Sequence, residues 1–214
     1  MNSALELISY LKIGGANITT IIYLVRHGES PKQGNERTRG LTEKGKQDAL
    51  KIAESLKDEG IEVFASSPYT RAVETIRGLA EHAGKEVDEI EDLRERVFVS
   101  GDARISDKEL LPLLKKSFAD PNFCLPGGES NAACQKRAIA VLEDLLKTYQ
   151  GSKIAIGTHG AVMTLMMGYY DSQYGLDFLL QSSKPDLYRM EFNGYKLTGV
   201  ERLWMNPWEN GYST

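Results

Sequence analysis

The sequence predicts a three-layer α/β/α sandwich with a mostly parallel mixed sheet. Three observations carry that reading. Short apolar runs at residues 20–25, 62–65 and 153–157 are each followed by helical periodicity, the alternation that builds a sheet covered on both faces. Segments 187–192 and 196–203 flank Asn193-Gly194, a hairpin signal that adds an antiparallel edge. The chain has 214 residues, 41% hydrophobic and 26% charged, which suits one large domain needing neither disulfides nor a metal to fold.

The elements follow in order. Residues Met1–Ile18 lack a cationic leader region, and Glu6 and Lys12 interrupt the apolar positions. They read as a short amphipathic helix or an N-terminal extension (1–18), ahead of a domain spanning 19–214. Thr20 to Val25 is β-branched and apolar, a strand buried on both faces. Thr42 caps a helix whose Ala49, Leu50, Ile52, Ala53 and Leu56 recur at helical spacing, and Gly60 ends it. Glu62 to Ala65 is a second strand, Ser66-Ser67-Pro68 a turn, and Tyr69 to Ala83 a helix. Asp107 to Phe118 is helical with a break or kink expected at Pro112. Pro126-Gly127-Gly128 is a loop, with Glu129, Ser130 and Asn131 as caps for a helix over Ala132–Tyr149. Lys153 to Gly157 is a third strand, and Ala161 to Tyr169 an apolar helix.

Composition narrows the function. A net charge of −4 gives no basic field for nucleic acid or an anionic membrane surface. No run approaches the ~20 apolar residues of a membrane span, so the cytoplasm is the default location. Cys124 and Cys134 form no zinc or redox pair, and inert thiols are expected.

Three histidines occur: His27, His82 and His159. Two of them end apolar strands and precede a glycine, in Arg26-His27-Gly28 and Thr158-His159-Gly160. Ligands of open α/β sheets bind beyond the carboxyl ends of the strands, so both rings should face one crevice. Arg71 falls on the first turn of the helix after the second strand, at the same edge. A cluster of Arg26, Arg71, His27 and His159 is cationic, and guanidinium forks match phosphate oxygens. Gly160 opens a helix whose amides add to the anion site. A phosphoryl group is the natural ligand. His82, at a helix end, reads as a surface residue. Met163, Met166, Met167, Tyr169 and Tyr170 read as core rather than pocket. Trp204 and Trp208 are candidates for packing back on the domain or for a homodimer contact.

Leu24-Val25-Arg26-His27-Gly28-Glu29-Ser30 resembles the RHG signature of the histidine phosphatase, or phosphoglycerate mutase-like, superfamily. Leu41-Thr42-Glu43-Lys44-Gly45, Ser66-Ser67-Pro68 with Arg71-Ala72, Pro126-Gly127-Gly128-Glu129-Ser130, and Gly157-Thr158-His159-Gly160 resemble its later motifs, in the family's order over roughly residues 20 to 162. The resemblance implies a phosphoglycerate mutase-like fold. It also implies a nucleophile at His27 that forms a phosphohistidine. Arg26, Arg71 and His159 would hold the phosphoryl oxygens, with Gly160 N–H as a further donor. Neither a cofactor nor a metal is implied. Leu93-Arg94-Glu95 matches the segment supplying the general acid, so Glu95 takes that role. The continuation Val97 to Asp102 departs from the family pattern, which keeps Glu91 and Asp102 as alternatives. Mutases of the family carry an asparagine where direct counting places Gln33. Ser30 and Gln33 are candidate substrate contacts, and Arg37 and Arg39 weaker ones.

Only 33 residues separate Glu95 from Glu129, and the cofactor-dependent mutases carry a longer insertion there. The expectation is therefore a metal-independent phosphatase acting on a small phosphorylated substrate. Mutase-type phosphoryl transfer and a non-catalytic phosphate-binding module are the alternatives.

Overall fold

The computed structural model describes residues 18–99 and 105–204. The extension as far as residue 17, Asp102 and Trp208 lie outside those residues. The elements run β1 (Thr19–Arg26), α1 (Glu43–Leu56), β2 (Val63–Ser66), α2 (Thr70–His82), β3 (Asp88–Glu89), α3 (Asp107–Ala119), α4 (Asn131–Thr148), β4 (Lys153–Thr158), α5 (Gly160–Tyr170), α6 (Leu176–Gln181), β5 (Asp186–Asn193) and β6 (Lys196–Arg202). One 3-10 turn covers Glu91–Leu93.

The six strands form one sheet in the order β3-β2-β4-β1-β5-β6. β1 to β4 are mutually parallel where they pair. β5 runs antiparallel to β1, and β6 antiparallel to β5. The hairpin thus supplies the antiparallel edge its Asn-Gly turn predicts.

Strand alternation divides the core between two helical layers. Tyr23, Val25 and Ala155 point to one face with Ile52, Leu56, Ile76 and Leu79 from α1 and α2. Ile22, Leu24, Ile154 and Ile156 point to the other, against Leu142 and Leu146 of α4 and Val162 and Met166 of α5. Each of these side chains is at most 2% exposed, so β1 and β4 are apolar throughout because both of their faces are covered.

Caps fall where the sequence puts them. Thr42 Oγ1 accepts the Gly45 N–H at 3.0 Å, and Ser130 Oγ accepts the Ala133 N–H at 3.1 Å. Pro112 departs from expectation, because α3 continues unbroken through it. Its missing amide deprives only the Lys108 carbonyl, and Lys108 is exposed, so water can take that bond. Met163, Met166 and Met167 are wholly buried in the core. Trp204 packs back against the α1–α2 side. Cys134 is buried and Cys124 exposed. Among the described residues, no helix is long and apolar enough to cross a membrane.

Candidate active site

The sheet brings the two histidine motifs together. β1 and β4 are neighbours with Arg26 opposite Thr158, and the His27 N–H donates to the Thr158 carbonyl at 2.9 Å. His27 and His159 therefore leave the sheet side by side, with ring centroids 5.2 Å apart and planes at 66°. The Ser67 N–H donates to the Gly157 carbonyl at 2.9 Å, which adds the end of β2. Arg71, on the first turn of α2, then reaches the same point.

Hydrogen bonds fix the form of His27. Its Nδ1 lies 2.7 Å from the Gly28 carbonyl, which can only accept, so Nδ1 carries the proton. The Arg71 Nε–H, which can only donate, meets Nε2 at 3.2 Å. The ring is thus the Nδ1–H tautomer with the Nε2 lone pair directed at the arginine. Burial pushes its pKa well below the ordinary 6.5, and the Arg71 charge pushes it further down. His159 is fully buried and is pushed down for the same reasons. Its Nε2 lies 2.7 Å from Ser67 Oγ; that oxygen accepts the Tyr69 N–H, and its own O–H can donate to Nε2, which leaves Nδ1 as the ring's N–H.

The arginines are held from behind. Arg71 is 1% exposed, lies over the Tyr69 ring, and donates to the Glu36 carbonyl at 2.5 Å, with Glu36 Oε2 at 3.3 Å. Burial lowers its pKa to about 10, and nearby Arg39 adds to the shift. Arg26 Nη1 donates to the Ser182 carbonyl at 2.9 Å and to the Ser182 hydroxyl. A Cβ on Gly160 would stand 2.8 Å from Arg26 Cζ, so glycine lets the guanidinium lie flat on the start of α5. Two buried polar atoms of this cluster, Arg26 Nε and His159 Nδ1, have no hydrogen-bond partner. Leaving such groups unmet costs about 1–3 kcal/mol each, a cost that an anionic ligand would remove.

A cavity of about 660 Å³ opens onto Arg26, Tyr69, Glu95, Gly160 and Lys184. Glu95 Oε1 accepts its neighbour's N–H, from Arg96, at 2.9 Å, and Oε2 lies 3.5 Å from the Ala161 N–H. The segment bearing Glu95 is clamped from α4. Arg137 donates to the carbonyls of Asp92 at 2.6 Å and Arg94 at 2.9 Å while bonding both oxygens of Glu129 at 2.6 and 2.8 Å. Burial pushes the Glu129 carboxyl up, but the Arg137 bonds outweigh it and leave it below its ordinary value. The Glu129 N–H donates to the Val97 carbonyl at 2.7 Å. A Cβ on Gly128 would fall 2.1 Å from the Phe98 carbonyl. The glycine-rich motif is therefore the surface on which the Glu95 segment rests.

The other candidates make contacts of their own. Ser30 donates to the Gly40 carbonyl at 2.6 Å and accepts from Arg39 at 2.7 Å, which braces the loop after β1. Gln33 is exposed on that loop and is not part of the cavity lining. Arg37 pairs with Glu91 at the surface, 2.7 Å apart. His82 is exposed. Sequence reasoning missed Lys184, whose ammonium is pushed down by burial and by Arg26. It also missed Glu36, Ser67 and Ser182. Among the described residues, no group of three or more His, Cys, Asp or Glu side chains is arranged to hold a metal ion.

Paired histidines at adjacent parallel strand ends, backed by two buried arginines, form a cationic cluster suited to an anion. The chain belongs to the histidine phosphatase superfamily (branch 1), whose family model matches residues 22–201. It is 27% identical over 153 residues to the uncharacterized phosphatase PhoE of Bacillus subtilis, covering 69% of this chain and 76% of that protein. It is 28% identical over 156 residues to the probable phosphoglycerate mutase GpmB of Salmonella paratyphi B, covering 66% and 70%. Among solved structures, a phosphoserine phosphatase mutant from Entamoeba histolytica in complex with phosphoserine is similar at a TM-score of 0.69 and 25% identity, over 85% of this chain and 96% of that one. A mycobacterial glucosyl-3-phosphoglycerate phosphatase shares the fold at a TM-score of 0.71 and 16% identity, over 86% and 97%.

Proposed function

We propose that this protein hydrolyses phosphate monoesters through a phosphohistidine on His27. The observation that carries the reading is the form of that ring. A neutral imidazole presents the Nε2 lone pair at the centre of a cationic cluster, which is what nucleophilic attack on phosphorus requires. The relatives named phosphatase support the hydrolytic outcome.

In the first step Nε2 attacks phosphorus in line, and the bond to the leaving oxygen breaks as Glu95 gives that oxygen its proton. The ring gains positive charge, which the Gly28 carbonyl on Nδ1–H offsets. Arg26, Arg71 and the unmet His159 Nδ1 take the charge spread over the equatorial oxygens. In the second step water attacks phosphorus, Glu95 carboxylate takes its proton, and the P–N bond breaks. Nε2 recovers its lone pair. The arginines supply the positive charge at the phosphoryl group, so no metal enters either step.

The test is phosphate release from a panel of monoesters with EDTA present, alongside His27→Ala. Release that survives EDTA and disappears in the variant is expected. Undiminished turnover by the variant would overturn the role of His27. Isomerisation of a phosphoglycerate without phosphate release would favour the mutase reading, which the GpmB relative brings into the comparison.

A further inference from the structure

The cavity at Glu95 is much larger than a phosphoryl group needs. Its volume of about 660 Å³ is that of pockets which bury drug-sized ligands. Arg26, Glu36, Glu95, Arg96 and Lys184 are its charged lining. Most of its apolar wall is Phe98, Val99, Leu110, Leu114, Leu179 and Leu180. These come from three places: the segment after Glu95, one face of α3, and α6. Leu110 and Leu114 are one helical turn apart, and α3 packs against α6. Arg96 is 4.1 Å over the Phe98 ring, which fixes that ring in the wall. Leu180 is 51% exposed, an apolar surface facing the cavity with room to be covered.

A hydroxylated or carboxylated alcohol would lose water against these side chains and gain no hydrogen bond in return. An alkyl or aryl group would gain in proportion to the area it covers. We propose that the substrate is a phosphate monoester of an apolar alcohol, whose hydrocarbon body lies between α3, α6 and Phe98 while its phosphate meets Arg26 and His27. This rests on the phosphatase reading and adds to it the class of leaving group.

The test compares ethyl, butyl, hexyl and octyl phosphate, below their micelle concentrations, with glycerol phosphate. Because each buried methylene is worth about fourfold, kcat/KM should rise on the order of a hundredfold from ethyl to hexyl. Leu180→Asp should flatten that dependence, and its position at the cavity mouth keeps the fold out of question. A flat series, or glycerol phosphate turned over faster than hexyl phosphate, would overturn the proposal while leaving the phosphatase reading intact. If no ester is hydrolysed, the phosphatase reading fails. Calorimetry with non-hydrolysable alkyl phosphonates then decides the pocket alone: affinity rising with chain length supports it, and constant affinity overturns it.

Discussion

The role proposed for His27 requires an unprotonated Nε2, and burial together with Arg71 favours that state. The same arginine positions the ring through Nε, so its charge and its shape serve different ends. Lysine would keep the charge and lose the planar fork. Arg71→Lys is therefore expected to lower kcat/KM on the order of a hundredfold, the cost of one lost transition-state donor. Steady-state kinetics showing less than a threefold loss would remove the fork from the mechanism. Arg26, His27, Arg71 and His159 are legible in the sequence because each sits at a strand end or a helix start, and a parallel sheet gathers those ends. Ser182 and Lys184 are not. Ser182 meets Arg26 across 156 residues, and only the pairing of β5 with β1, which sets Asp186 opposite Arg26, brings them there. No local pattern announces that pairing.

Between elements, the clamp from α4 to the Glu95 segment makes a separable prediction. Arg137 and Glu129 touch no reacting atom in the proposed mechanism, yet they hold the backbone on either side of Glu95. Arg137→Met should loosen that segment and misplace the acid. An alkyl leaving group needs the proton, whereas p-nitrophenolate departs without it. The loss should therefore be at least tenfold greater for an alkyl phosphate than for p-nitrophenyl phosphate. Equal losses on both would indicate a purely structural role, and Arg137→Lys should restore part of the difference. The strong helices and the three buried strands were legible from periodicity and caps. The two-residue β3 and six-residue α6 are too short for a period to register. The continuity of α3 through Pro112 depends on solvent at Lys108, which the sequence pattern does not reveal.

Across the whole molecule, the buried histidines tie stability to pH. Both have folded-state pKa values below the ordinary 6.5, so the unfolded chain takes up protons that the folded chain refuses. Their contribution is present above about pH 6.5 and lost as pH falls below it, by up to about 1.4 kcal/mol per pH unit for each. The lowered carboxyls Asp48, Glu59, Glu91 and Glu129 respond only at more acid pH, because their ordinary values are 3.8 and 4.5. Denaturant unfolding in phosphate-free buffer should thus show stability falling between about pH 6.5 and 5.5, with about half the slope in His27→Gln. An unchanged slope in that variant would contradict the assigned protonation state. The central claim, transfer of phosphate through His27, is tested most directly by trapping the intermediate. The enzyme is quenched in alkali during turnover of p-nitrophenyl phosphate and the modified residue is found by mass spectrometry. An alkali-stable, acid-labile phosphate is expected on His27 and absent from His27→Asn. Phosphate on another residue, or turnover that persists in His27→Asn, would contradict it.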